Sequence, residues 1–494
     1  MTFRAVKPID GSSYGAEIAE NSKSEVDSLI ALAAATSSSL ANQSPAERAQ
    51  LLRAIAAAIE SSRDSLIESA CAETALPEAR IAGEITRTTV QFELFARLVE
   101  SGKHLAVVID KADPNYSPAP RPDIRKMNQP LGVVAIFAAS NFPLAFSVAG
   151  GDAASAIAAG NPVVAKAHPS HPNTCATIEK AIKAALTQCG VSSDAYSIVQ
   201  GTSPQITHWL AEHPAITAIG FTGSETVGRI LVDLGARRRN PIPVYAEMGS
   251  LNPVFVTQNA IDERSEALAK GLVDSALMGS GQFCTKPGLI FAPADSTFIE
   301  TMKLHLASLA VAPLLSKSIA DRYSAAITAL TASGKIEIAT GIARAEGFGV
   351  TPTIFFTDWA TASQNSALLE EHFGPTTVVI TCAEKQYSEI AAALHGQLTA
   401  TIHGTDGDDV AALVSVLKEK AGRVIWNGFP TGVAVTSAMS HGGPWPSSST
   451  FTTSVGTDAI YRFMRPVAYQ GFSQAVLPAA LQDANPWSVP QNIN

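Results

Sequence analysis

From Leu131 onward the sequence alternates short apolar runs with helical stretches, and that alternation restricts the fold more than any other feature. Gly132-Val133-Val134-Ala135-Ile136-Phe137 is continuously apolar, as a strand covered on both faces must be. It breaks at Ala138-Ala139-Ser140-Asn141-Phe142-Pro143, and a small-residue helix over 149–159 follows, closed by Gly160. Residues 162–165 read as a second strand ending at Lys166, and 174–188 as a second helix. Two more strands follow at 196–199 and 215–221, with a helical segment at 204–212 between them. Right-handed crossovers make such a series a parallel sheet, and ligands of these sheets bind beyond the carboxyl ends of the strands. Asn141, Lys166 and Thr222 each stand just past a strand end.

The chemistry is concentrated further on, at Gly279-Ser280-Gly281-Gln282-Phe283-Cys284-Thr285-Lys286-Pro287-Gly288. A helix over 265–278, with Leu268, Leu272, Val273 and Leu277 at helical spacing, leads in; an apolar strand at 289–292 leads out. A thiol in a glycine-rich bend is either a small buried hydrophobe or a nucleophile that a ligand approaches closely. Two other segments bear on that choice. Phe221-Thr222-Gly223-Ser224-Glu225-Thr226-Val227-Gly228 closes a strand and opens a helix, so its backbone N–H groups suit a pyrophosphate. It lacks the G-x-G-x-x-G fingerprint and also reads as an ordinary helix cap. Val244-Tyr245-Ala246-Glu247-Met248-Gly249 buries a carboxylate among apolar residues, which is costly unless it is paired, protonated or functional.

A chain of 494 residues exceeds one core, and 46% hydrophobic with 16% charged residues is a globular composition. The net charge of −9 argues against nucleic acid or an anionic membrane as partner. Five scattered cysteines (Cys71, Cys175, Cys189, Cys284, Cys382), no C-x-x-C, no H-E-x-x-H and no long apolar span indicate a reduced, cytoplasmic chain without a metal site. Residues 24–60 read as two helices, the second opened by Ser44-Pro45-Ala46-Glu47, and 75–100 stays helical. The stretch 111–128, with Asp-Pro-Asn-Tyr-Ser-Pro-Ala-Pro-Arg-Pro, is too proline-rich for a helix or central strand, and reads as a pairing arm or a surface linker. Past Cys284 the alternation resumes through a helix at 297–309 and strands near 336–340 and 376–380, up to Trp426. Two α/β domains result, with Cys284 early in the second.

In order along the chain, Ser140-Asn141-Phe142-Pro143, Val164-Ala165-Lys166, Phe221-Thr222-Gly223-Ser224, Glu247-Met248-Gly249, Gly281-Gln282-Phe283-Cys284 and Glu371-His372-Phe373-Gly374-Pro375 resemble the NAD(P)-dependent aldehyde dehydrogenase superfamily. The nearest likeness is to its 2-oxoglutarate semialdehyde (2,5-dioxopentanoate) dehydrogenases. It rests on Arg121-Pro122-Asp123-Ile124-Arg125-Lys126-Met127, Ala139-Ser140-Asn141-Phe142-Pro143-Leu144-Ala145-Phe146-Ser147 and Lys166-Ala167-His168-Pro169-Ser170-His171-Pro172, with support from Gly442-Gly443-Pro444-Trp445-Pro446 and Thr453-Ser454-Val455-Gly456. The resemblance implies an α/β fold with two parallel-sheet domains and a small oligomerisation arm. Residues 1–110 and 128–248 would bind cofactor, 249–445 would be catalytic, and 111–127 with 470–494 would form the arm and C-terminal tail of a homodimer or homotetramer. Cys284 matches the nucleophile, Asn141 and the Cys284 N–H the oxyanion hole, and Glu247 the base that activates water, for which a raised pKa is expected. Lys166 matches the adenosine-ribose contact, Thr222, Gly223 and Ser224 the pyrophosphate turn, and Glu371 and Phe373 the nicotinamide-ribose contacts. Many relatives carry glutamate where Pro169 stands here, which shifts the expected cofactor towards NADP with NAD also used.

The implied substrate is a small acidic aldehyde, 2-oxoglutarate semialdehyde, its far end met by Arg125, Lys286, Ser440 or Ser454. Other readings are a broad fatty or semialdehyde dehydrogenase, a CoA-acylating dehydrogenase, a cysteine acyl-transferase or hydrolase with a histidine base, and a non-enzymatic binding protein on the same fold.

Overall fold

In a computed structural model, residues 1–332 and 336–494 are described. The chain opens with an antiparallel hairpin, β1 (Thr2–Val6) and β2 (Ser13–Ala19), then four helices. α1 (Lys23–Ala41) and α2 (Pro45–Ser61) both start at serine capping boxes, Ser22 with Glu25 and Ser44 with Glu47, which satisfy two otherwise orphaned N–H groups each. α3 (Arg63–Thr74) and α4 (Glu78–Glu100) follow. α4 buries Ile81, Ile85, Phe92, Phe95 and Val99 on one stripe, against α2. Truncating Phe92, which is fully buried, would cost about 3–5 kcal/mol.

The first large sheet is built from β5 (Val133–Phe137), β6 (Val163–Lys166), β7 (Tyr196–Val199), β8 (Ile216–Thr222) and β9 (Val244–Glu247), all parallel, in the order β7-β6-β5-β8-β9. Both faces are covered, which explains the unbroken apolar runs. Val134 and Ile136 face one core with α2 and α4, whereas Val133, Ala135 and Phe137 face another with Val26 and Ile30 of α1. α5 (Gly151–Ala159) is buried at all nine positions, so only small residues fit most of its surface. It starts two residues later than the pattern predicted, because 149–150 are taken up by a turn in which Gly150 closes on the Ala145 carbonyl. The connections are α6 (Pro172–Gln188), α7 (Pro204–Glu212) and α8 (Glu225–Arg237). Strand order reverses between β5 and β8, so the crevice of this sheet lies at their carboxyl ends.

The second sheet holds β10 (Val254–Val256), β11 (Leu289–Ala292), β12 (Glu337–Thr340), β13 (Thr353–Asp358), β14 (Thr376–Thr381), β15 (Gln397–His403) and β16 (Ala421–Trp426). Their order is β12-β13-β14-β11-β10-β15-β16, parallel except for β12 against β13. α9 (Gln258–Leu277) runs from β10 into the cysteine bend and begins seven residues before the predicted start, with a kink at Arg264.

A third, four-stranded sheet has the order β17-β4-β3-β18, from β3 (Val107–Asp110), β4 (Ile124–Pro130), β17 (Met464–Gln470) and β18 (Gln491–Ile493). Here the proline argument fails in part. The prolines cluster at 114–122 and the next, Pro130, is the last residue of β4, so 124–129 are free to form an inner strand paired with β3 and β17. All five cysteines are free thiols, and among the described residues no helix is long and apolar enough to cross a membrane.

Candidate active site

Four carboxyl strand ends of the first sheet converge. Asn141 lies on the loop after β5, Lys166 ends β6, Thr222 ends β8, and Glu247 ends β9 in register with Thr222. The loop after β5 is anchored by Glu84 of α4, whose Oε1 accepts the N–H groups of Leu144 and Ala145 at 2.9 Å each. Asn141 thereby reaches the cysteine bend, where its Nδ2 donates to the Gln282 carbonyl at 2.9 Å and keeps a second N–H.

The bend itself is a left-handed excursion: Gly279, Ser280 and Gly281 have φ of 57°, 59° and 66°. A side chain at Gly281 would fall 2.0 Å from the Gly374 carbonyl, so the two loops can touch only through glycine. Ser280 holds its strained backbone through a 2.8 Å bond from its hydroxyl to the Ala312 carbonyl. From the other side, Asn252 Nδ2 donates to the carbonyls of Cys284 (2.7 Å) and Lys286 (2.9 Å). The peptide N–H of Cys284 has no partner among the described residues.

Around the thiol, Cys284 Sγ stands 3.7 Å from His441 Nε2, and that nitrogen stands 2.8 Å from Glu247 Oε1. Ser454 donates to Glu247 Oε2 at 2.6 Å. His441 and Glu247 are almost wholly buried, and the three reactive atoms lie within 4.8 Å of one another. Burial pushes the Cys284 thiol well above its ordinary value, and the neighbouring Glu247 carboxylate pushes it further; Arg87 opposes them weakly. The thiol is therefore protonated at rest and needs a base. For Glu247 the expected raised pKa is wrong. Burial does push it up, but the His441 charge and the hydrogen bonds from His441, Ser454 and Cys284 outweigh that and leave it below the ordinary value. It is an ionised base, not a protonated reservoir.

Sequence reasoning missed His441, which is 157 residues from the thiol. The one available signal was a histidine directly before Gly442-Gly443-Pro444 in a loop-rich region. The far-end candidates fare differently. Arg125 sits in the third sheet, bonded to Asp123 (2.8 Å), Asp483 (2.8 Å) and the Leu481 carbonyl (2.7 Å). Lys286 does not point to solvent: it is 3% exposed and donates to the carbonyls of His372, Gly374 and Thr376. Ser440 is exposed, and Ser454 serves Glu247 at the reacting end. Arg125, Lys286 and Ser454 are thus committed elsewhere.

The residues matched to a dinucleotide fit one. Gly223 to Val227 are exposed, so the start of α8 is an open helix N-terminus, capped by Ser224. Lys166 donates to the carbonyls of Ala167 (2.7 Å) and Gly201 (2.6 Å), which leaves one ammonium proton for a ligand; burial brings it down to about 8. Glu371 and Phe373 flank the loop that Lys286 fixes, and a side chain at Gly249 would strike Glu371 Oε2 at 2.0 Å, so this carboxylate lies against the Met248–Ser250 turn after Glu247.

An α/β chain of this architecture, with a thiol, an imidazole, a carboxylate and free amide donors gathered at the strand ends, has the parts of an aldehyde-oxidising enzyme. The chain belongs to the aldehyde dehydrogenase family, whose profile matches residues 1–467, and is an NAD(P)-dependent aldehyde dehydrogenase. It is 42% identical over 500 residues to alpha-ketoglutaric semialdehyde dehydrogenase 2 of Azospirillum brasilense, covering 99% of this chain and 95% of that one. With alpha-ketoglutaric semialdehyde dehydrogenase of Acinetobacter baylyi it shares 42% identity over 457 residues, 91% of this chain and 86% of the relative. Its fold superposes on glyceraldehyde-3-phosphate dehydrogenase GapN from Methanocaldococcus jannaschii, complexed with NADP, with a TM-score of 0.81 at 21% identity, over 94% of this chain and 99% of that one.

Proposed function

We propose that the chain oxidises 2-oxoglutarate semialdehyde, which is alpha-ketoglutaric semialdehyde, to 2-oxoglutarate, with Cys284 as nucleophile. The substrate reading is carried by the 42% identity along 99% of the chain with the Azospirillum relative that bears this substrate in its name. The reaction reading is carried by the Cys284, His441 and Glu247 cluster.

The S–H proton passes from Cys284 to the ionised Glu247 carboxylate, with which the thiol hydrogen-bonds, and from there to solvent, while the sulfur forms a bond to the aldehyde carbon. The carbonyl electron pair moves onto oxygen, where the second N–H of Asn141 and the unpartnered N–H of Cys284 receive the charge. Collapse of that oxyanion expels a hydride and leaves a thioester on Cys284. The nicotinamide, when bound, is the two-electron acceptor. Glu247 then takes a proton from water, hydroxide attacks the thioester carbon, and the C–S bond breaks to release the carboxylate product and return the thiolate to Cys284, which regains a proton. The imidazole beside the thiol also fits a cysteine hydrolase, but here it serves the hydrolytic half of the same cycle. An ionised Glu247 favours water over coenzyme A as the acceptor of the acyl group.

NADP is the favoured cofactor in this reading, with NAD also accepted, because Pro169 replaces a carboxylate and Lys166 keeps a free proton for a 2′-phosphate. Thr222, Gly223 and Ser224 would cradle the pyrophosphate and Glu371 and Phe373 the nicotinamide ribose. The domain limits 1–110 with 128–248, 249–445, and 111–127 with 470–494 are retained as part of the proposal. So are a cytoplasmic location and a homodimer or homotetramer built through the third sheet. The test compares kcat/KM for 2-oxoglutarate semialdehyde, succinate semialdehyde, glutarate semialdehyde and hexanal. The acidic aldehydes should lead; hexanal matching them would replace this reading with a broad fatty-aldehyde dehydrogenase.

A further inference from the structure

Arg87 is a cation beside the thiol whose donors are unspent. It stands on α4, three residues after Glu84, in a region where every other charge has work. Glu84 holds Leu144 and Ala145 through one oxygen and meets Arg80 at 3.4 Å through the other. Arg462 pairs with Asp152, and Arg423, whose charge also reaches the thiol, donates through Nη2 to the carbonyls of Pro430 and Gly432. Arg87 has no carboxylate within ion-pairing distance among the described residues, and its Nε and Nη2 are buried with no hydrogen-bond partner. Those two nitrogens form one edge of the guanidinium fork, the edge that grips both oxygens of a carboxylate. Buried donors left unpaired are costly, so a ligand that fills both is bound with that cost recovered.

The fork also lies in the right place. Its carbon is 5.0 Å from the ring centre of Phe146 and 5.6 Å from that of Phe142. Phe142 adjoins Asn141 and packs at 5.0 Å on Phe283, the residue before Cys284. Ala139, Ala145 and Val455 complete this apolar nest. Arg87 is close enough for its charge to act on both Cys284 and Glu247. The ionised Glu247 gives the site negative charge, which would repel an acidic aldehyde unless a cation offset it.

We propose that Arg87 grips the far carboxylate of the semialdehyde side-on, from within the nest of Phe142, Phe146 and Phe283, and so selects acidic aldehydes. This rests on the substrate reading above. The experiment measures kcat/KM for 2-oxoglutarate semialdehyde and for pentanal in wild type, Arg87→Met and Arg87→Lys. It also measures inhibition by glutarate. Wild type should prefer the acidic aldehyde. Arg87→Met should reduce that preference roughly 100-fold, mainly through KM, and abolish glutarate inhibition, whereas Arg87→Lys should recover part of both. The ratio of the two substrates cancels any general loss of activity. Should Arg87→Met fail to fold, Arg87→Gln, which keeps a polar donor in the nest, is read in the same way. A wild type with no preference for the acidic aldehyde would overturn the substrate reading itself. A preference kept intact without Arg87 would overturn the assignment of Arg87.

Discussion

Replacing His441 by glutamine tests the electrostatics of the base directly. Glu247 is 3% exposed, and its carboxylate stays ionised because His441 stands 2.8 Å from one oxygen while Ser454 holds the other. Breaking a buried ion pair by removing one partner costs about 3–5 kcal/mol. Glutamine restores a neutral donor but no charge, so a loss of about 2–3 kcal/mol is the reasonable share. Removing the His441 charge should therefore raise Glu247 from its lowered position in His441→Gln. The carboxylate is active only above its pKa, so the acid limb of thioester hydrolysis should move upward. The assay is the decay of the acyl adduct on Cys284, followed by rapid quench and intact-mass spectrometry between about pH 5 and pH 9; this isolates hydrolysis from hydride transfer and cofactor release. A slower plateau with an unmoved limb would refute the reasoning, because Glu247 would then owe its low pKa to something other than His441.

Glu247→Gln should give a burst of reduced cofactor followed by stalled turnover, with an acyl adduct on Cys284 visible by mass; full steady-state turnover would move the base elsewhere, to Glu371 in the first instance. Lys166 titrates near 8, so the ratio of kcat/KM for NADP to that for NAD should fall as pH rises past that value, by up to about tenfold per unit; a ratio independent of pH would release Lys166 from phosphate binding.

The parts of the site that were legible beforehand are those whose signal is local. An apolar run that stops at Asn141, a strand that stops at Lys166 and a thiol framed by glycines each announce a strand end or a bend within a few residues. Glu247 was legible as a carboxylate in an apolar segment. Its pKa was not, because the sign depends on His441 and Ser454, which arrive from about 200 positions further on. Arg87 was hidden for a related reason. A charged residue on the shoulder of an amphipathic helix normally reaches solvent, and only the packing of the loop after β5 over α4 shuts its donors away. The far-end candidates failed because closeness in sequence to Cys284, or membership of a matching motif, says nothing about direction. Lys286 is the nearest cation in sequence, yet it fastens the 372–376 backbone. The proline rule failed at β4 for a simpler reason: it was applied six residues beyond the cluster that ends at Pro122, and the one proline of β4, Pro130, stands at its last position.

Glu247 ends β9, but much of what neutralises and aligns it belongs to the last part of the chain. The Met248 N–H donates to the Ser447 carbonyl, the Ser449 N–H to the Ala246 carbonyl, and the Ser449 hydroxyl bonds both Ala246 and Val244; His441 and Ser454 then close over the carboxylate. A chain emerging from the ribosome has therefore made its nucleophile, its oxyanion donors and its whole first sheet long before it has a working base. Until residues 441–454 dock, nothing holds the Glu247 carboxylate ionised beside the thiol, and the thiol keeps its proton. Appearance of turnover is in this sense a timestamp for the final docking event, and acquisition of activity during refolding should trail the recovery of helical signal by the time that last segment needs to find its place.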